Sequence, residues 1–117
     1  MADHPGKQIE SLIERLKQIA IENPTGFTVY LKDLSPVKEG WSVALKETQN
    51  SFGDEGLMKV IAVASEKTGI VGGWNEEGKL WWDAVQIFDN ENAAIESGRE
   101  NEQLAIYHIE LNKVIWL

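Results

Sequence analysis

Apolar side chains recur along the first part of the chain with a helical period. Ile9, Leu12, Ile13, Leu16, Ile19 and Ala20 share one face, with Glu14, Arg15, Lys17 and Gln18 opposite, which predicts an amphipathic helix over 8–22. It should stop at Asn23-Pro24, because proline pushes the residue before it out of the helical region. The period then changes to two. Phe27, Val29 and Leu31 alternate with Thr28 and Tyr30, and after a loop with Pro36 and Gly40 the same alternation returns in Trp41, Val43 and Leu45. These read as two strands, each with one buried face. The connection is too short for a crossover helix, so the two are expected to pair with each other, antiparallel.

A helical pattern follows over 55–66, with Asp54 as its expected cap and Leu57, Met58, Ile61, Ala62 and either Ala64 or Ser65 inward. Gly69 is its terminator. Ile70–Trp74 and Lys79–Phe88 flank Asn75-Glu76-Glu77-Gly78 and make an evident hairpin. Asp89 or Asn90 caps a short third helix through Ala93, Ala94 and Ile95, which Gly98 should end. Gln103–Ile109 and Val114–Leu117 then form a last hairpin about Asn112-Lys113. The expected fold is α+β: a single domain over 1–117, with a largely antiparallel sheet of about six strands in three pairs and three helices. Residues 1–7 read as a flexible lead, 8–22 as the N-terminal helix and 24–117 as the α+β core.

Composition narrows the chemistry. The chain has no cysteine, which removes thiolate nucleophiles and sulfur-ligated zinc. His4 and His108 are far apart and have no carboxylate at ligand spacing, so no metal and no cofactor are expected. Gly72-Gly73 precedes a strand rather than a helix and lacks the helix N-terminus of a phosphate-binding loop. Glycine there fits close packing of the hairpin. Nineteen acidic against eleven basic residues give a formal charge of −8, which disfavours nucleic acid as partner and suits a basic protein surface. No run is long and apolar enough for a membrane span. The first residues have no signal-peptide core, so the expected location is the cytoplasm, and the expected partner is a protein.

Asp83 is the odd residue of the hairpin. Trp81, Asp83, Val85 and Ile87 share one strand face while Leu80, Trp82, Ala84, Gln86 and Phe88 share the other, and both are mainly apolar. A carboxylate there must be hydrogen-bonded or have its pKa raised, as a structural tie or as a functional group. Two polar loops could join it, 46–51 and 99–103. From these, Lys46, Asp83, Arg99 and Glu100 are the catalytic candidates, and Thr48, Gln49, Asn50, Ser51, Trp81, Trp82, Asn101 and Gln103 the binding candidates. Trp41, Trp74 and Trp116 alternate into the expected core, while one of Trp81 and Trp82 must face the other way. An outward tryptophan would anchor a partner.

Five pieces taken in order carry a resemblance: Gly26-Phe-Thr-Val29, Val43-Ala-Leu-Lys-Glu-Thr48, Val71-Gly-Gly-Trp74, Gly78-Lys79 with Asp83, and Gly98-Arg-Glu-Asn101 with Gln103, Ala105 and Ile106. Together they resemble a small uncharacterised domain family of gut anaerobes and of phage and conjugative mobile elements. The likeness spans about residues 24–110. Trp81-Trp82 departs from it, since similar sequences carry a smaller apolar residue or a tyrosine there. The resemblance implies a mobile-element setting, with toxin-like enzymes, inhibitors and immunity proteins as the candidate roles. Two expectations follow: a protein-binding or regulatory (inhibitor) module, or a small metal-independent nuclease-like or transferase-like enzyme with its site around Asp83. Whether the chain is an enzyme stays open, and convergence of the two loops on Asp83 would favour the enzyme.

Overall fold

The computed structural model describes residues 5–117, with side chains from Ser11 onward. Helix α1 spans Pro5–Glu22 and takes in residues 5–7 of the expected lead. Residues 1–4 and the side chain of Ile9 lie outside the described part. Ile13, Leu16 and Ala20 form the buried stripe. Asn23 ends the helix by donating both its backbone and its side-chain N–H to the Ile19 carbonyl. Strands β1 (Phe27–Tyr30) and β2 (Trp41–Ala44) follow. A 3₁₀ turn over Lys46–Thr48 leads to the two-residue strand β3, Ser51–Phe52, which the sequence pattern did not suggest. Then come α2 (Gly53–Glu66), β4 (Ile70–Glu76), β5 (Lys79–Phe88), α3 (Glu91–Glu100), β6 (Ala105–His108) and β7 (Lys113–Trp116).

The fold is α+β, and every strand pair is antiparallel. The strand order is β1-β4-β5-β2-β6-β7, with β3 beside the start of β5. The hairpins β4–β5 and β6–β7 both form, but β6–β7 closes over residues 109–112, and Lys113, expected in the turn, is paired with His108 in β7. Glu77 and Gly78 both adopt positive φ at the first turn, as a tight two-residue hairpin requires. Pairing of β1 with β2 is the expectation that fails. The segment after β1 folds back along that strand instead: Tyr30 N–H donates to Ser35, Val37 N–H donates to Thr28, and Val29 bridges Pro36. This covers the outer edge of β1. Its inner edge takes β4, and β2 is carried across to β5 and β6.

Three further expectations are corrected. Phe52, not Asp54, occupies the cap position of α2 and makes no side-chain cap bond, while Asp54 sits in the first turn and pairs with Lys17 at 3.3 Å. The buried stripe of α2 is Leu57, Val60 and Ala64, while Met58 is 53% exposed. The stripe is rotated because Gly56 lies against Ser51, where a Cβ would come within 2.6 Å of backbone. Gly98 does not end α3. It lies inside the helix, where Ile106 and Leu117 press on it so closely that a Cβ would meet Leu117 at 2.5 Å. The cap at the start of α3 is Asn90, whose Oδ1 accepts from Ala93 N–H at 3.0 Å.

All three helices pack on one face of the sheet. Leu16, Leu57 and Val60 meet Val29, Val71, Trp82 and Ala84. Ala94 of α3 meets Trp41, Val43 and Ile106. The Ser97 hydroxyl reaches Gln86 at 3.2 Å, from the strand face that carries Trp82 and Ala84. No helix among the described residues packs on the opposite face. The 31–40 segment and Ile109 cover one part of it, where Val37 packs with Ile70 and Val85. No helix among the described residues is long and apolar enough to cross a membrane.

Candidate functional site

The helix-free face carries Trp74, Trp81, Asp83 and Val85 from the central hairpin, Ser42 and Ala44 from β2, and Tyr107, Val114 and Trp116 from the last hairpin. Their assignment follows from the register, in which Trp74 opposes Trp81, Gly72 opposes Asp83, Ala44 opposes Val85 and Tyr107 opposes Val114. The rings of Trp74 and Trp81 stack with centroids 6.3 Å apart and planes 12° from parallel. Phe52 of β3 extends the aromatic strip, 5.3 Å from Trp81.

Two cavities open on this face and share Trp74 and Asp83. One, of about 940 Å³, runs from β1 past Gly72 to Tyr107. The other is a groove of about 550 Å³ bounded by the 3₁₀ turn, β3, the tryptophan pair and the chain after α3. Gln49, Asn50 and Ser51 line the groove from one side and Glu102 and Gln103 from the other, with Asp83 between them. The two polar loops that the sequence leaves apart therefore converge on Asp83.

The seat of Asp83 explains one of the two glycines. A Cβ on Gly72 would lie 2.5 Å from Asp83 Oδ1, so the carboxylate rests over the bare backbone of its cross-strand partner. Gly73 serves the other face, where a Cβ would strike the Phe27 ring at 2.7 Å and the Trp82 ring at 2.9 Å. None of the hydrogen bonds among the described residues involves the Asp83 carboxylate, so the tie to a loop or tryptophan N–H is not made. Its side chain keeps partial exposure to the groove, and desolvation by the surrounding protein pushes its pKa up to about 7. It is a carboxyl group that gains or loses its proton near neutrality while facing a groove.

The remaining candidates divide by position. Thr48 is buried: its hydroxyl donates to the Leu45 carbonyl and accepts from Ala84 N–H at 3.1 Å, closing the β2–β5 ladder where Leu45 N–H donates to Ala84. Trp82 is 2% exposed, faces the helices and meets Phe27 edge-on. Asn101 ties the end of α3 to the 3₁₀ turn, with its amide donating to Ser97 and its Oδ1 accepting from Lys46 N–H. Lys46, Arg99 and Glu100 are exposed, and none of them lines the groove. Of the tryptophans expected in the core, Trp41 is there, against His108 at 4.7 Å. Trp74 lies on the helix-free face, and Trp116 is 76% exposed. Sequence reasoning missed Trp74 and Glu102 as groove residues. Only the pairing of Trp74 with Trp81 across the hairpin could have pointed to the first. Among the described residues no group of three or more His, Cys, Asp or Glu could hold a metal ion. No family model, curated protein or solved structure matches the chain.

Proposed function

We propose that this chain is a protein-binding module, a regulator or inhibitor of mobile-element origin, which engages its partner with the helix-free face of the sheet. The observation that carries the reading is the aromatic strip on that face, running from Phe52 through Trp81 to Trp74, together with Tyr107, Val114 and Trp116 exposed on the last hairpin of the same face. Tryptophan and tyrosine on an uncovered surface are the usual anchors of protein interfaces. The net charge of −8 selects a basic partner.

A second reading has an observation of its own. The convergence of Asp83, Gln49, Asn50 and Gln103 in one groove, with a carboxyl that titrates near neutrality, is the setting of a general acid or base. It favours the small metal-independent enzyme. Phosphoryl chemistry is the weaker form of it, because Lys46 and Arg99 do not line the groove and a phosphate there would meet carboxylates. Expression in a host cell separates the two. The binding module should be harmless and should capture one partner, which Trp81→Ala loses and Glu77→Gln keeps. Toxicity abolished by Asp83→Asn would replace the binding module with the enzyme.

A further inference from the structure

We infer that the groove beside Trp74 and Trp81 takes a cationic side chain, arginine or lysine, from an extended basic segment of the partner, with Asp83 as its counter-ion. This rests on the protein-binding reading and adds the chemistry of the occupant.

The polar groups of the groove are turned to receive donors. Gln49 Nε2 donates to the Glu102 carbonyl at 3.4 Å, and Gln103 Nε2 donates to the Asn101 carbonyl at 3.0 Å. Each amide thus commits one of its two N–H groups to the protein, while its Oε1 accepts no hydrogen bond among the described residues. Glu76, Asp83 and Glu102 add carboxylates, and no lysine or arginine lines the groove. Lys79, at the start of β5, holds its ammonium 5.0 Å over the Phe52 ring instead. Ser51 is 5% exposed, and its hydroxyl has no partner although the residue lines the groove. An anion would meet three carboxylates here and no cationic side chain, although the Asn50 amide, the Ser51 hydroxyl and the unpartnered Trp82 indole N–H are neutral donors. A neutral sugar would leave the Asp83 charge uncompensated, whereas a guanidinium or ammonium supplies several donors, neutralises a carboxylate and is attracted to tryptophan faces.

Binding of such a side chain should compete with the proton on Asp83. The titratable groups that share its two cavities are Glu76 of β4, Glu102 after α3 and Tyr107 of β6. None of them is basic, and His108 lies on the other sheet face, against Trp41. The ionised fraction of a carboxyl with a pKa of about 7 rises about ten-fold between pH 6 and pH 8. Affinity for arginine, which keeps its charge throughout, should rise with it.

The test uses the full chain and two acetylated, amidated pentapeptides, Gly-Ser-Arg-Ser-Gly and the same sequence with neutral citrulline for arginine. Binding is followed by NMR at the Asp83 carboxyl carbon and the Trp81 indole. The arginine peptide should move both signals and bind about ten-fold more tightly at pH 8 than at pH 6. Asp83→Asn should lose that pH dependence and bind about ten-fold more weakly at pH 8. The isosteric change removes only the charge, and thermal unfolding of the variant confirms that it is folded. Equal binding of the citrulline peptide, a pH profile unchanged in Asp83→Asn, or shifts produced by a neutral trisaccharide in place of the peptide would each overturn the inference. A partner captured through Trp81 irrespective of Asp83 would leave the binding module standing without the cation, and no capture at all would remove the binding module itself.

Discussion

The two faces of the sheet are built from the same strands by opposite rules. On the helix side Trp82 and Ala84 meet Leu57 and Val60, and Gly73 is bare so that the Phe27 and Trp82 rings can close on the backbone. On the other side Trp81 and Asp83 alternate with those same residues, and Gly72 is bare so that a carboxylate can rest on it. One face is packed under the helices. The other keeps a groove, an unpaired carboxyl and exposed rings. Neighbouring residues of one dipeptide, Gly72-Gly73, thus support packing on one side and a site on the other, because successive side chains on a strand point opposite ways.

If this division holds, adjacent tryptophans should behave very differently. Trp82→Ala should destabilise the fold by about 3–5 kcal/mol through lost burial and a cavity. Trp81→Ala should cost under about 1.5 kcal/mol, the loss of its aromatic contacts, and should remove partner binding. Denaturant unfolding of both variants measures the difference, and equal costs would break the comparison.

Asp83 sharpens it further. Its carboxyl has an ordinary pKa of 3.8 and a folded value of about 7, so the folded state holds the proton more tightly than the unfolded chain. Stability from this group is therefore greatest below about pH 4, falls as pH rises between the two values and levels off above about 7. The shift corresponds to at most about 4 kcal/mol. Water reaching the groove reduces the effect to roughly 2 kcal/mol. Asp83→Asn should be more stable than wild type by that amount at pH 8 and equal to it near pH 4, as read by unfolding at each pH.

A further effect concerns the wall between the faces. Thr48→Val keeps the shape but leaves the Ala84 N–H without its acceptor, at a cost of about 1–3 kcal/mol. Amide exchange at Ala84 should accelerate, while the Asp83 titration stays in place. A shift of that titration would mean that the turn and the groove are coupled.

Much of the architecture was legible from local pattern. The 3.6-residue period in α1 and the turn residues Glu77-Gly78 and Asn112 sit where the helix and the two hairpins form. The parity that separates Trp81 and Asp83 from Trp82 and Ala84 follows from period two alone. Less legible were the features that depend on a distant neighbour. Gly98 reads as a stop signal but is a contact for Ile106 and Leu117. Asp54 reads as a cap but pairs with Lys17. Trp116 has the alternation of a core residue, yet it stands on a face that no helix covers. The polar residues of 46–51 and 101–103 look alike in sequence, although Thr48 and Asn101 hold the fold together while Gln49 and Gln103 line the groove.

By itself the sequence determined the helices, the two hairpins, the acidic surface and the presence of one carboxyl on an apolar strand, because each of these depends on residues within a few positions of one another. Tertiary structure decided which edge β1 offers to β4, which sheet face the helices cover, and that two loops about fifty residues apart meet at Asp83. Those outcomes depend on competition between distant surfaces for burial. A strand's alternation says that its two sides differ, and only the elements that pack against it decide which side becomes core and which is left open for a ligand.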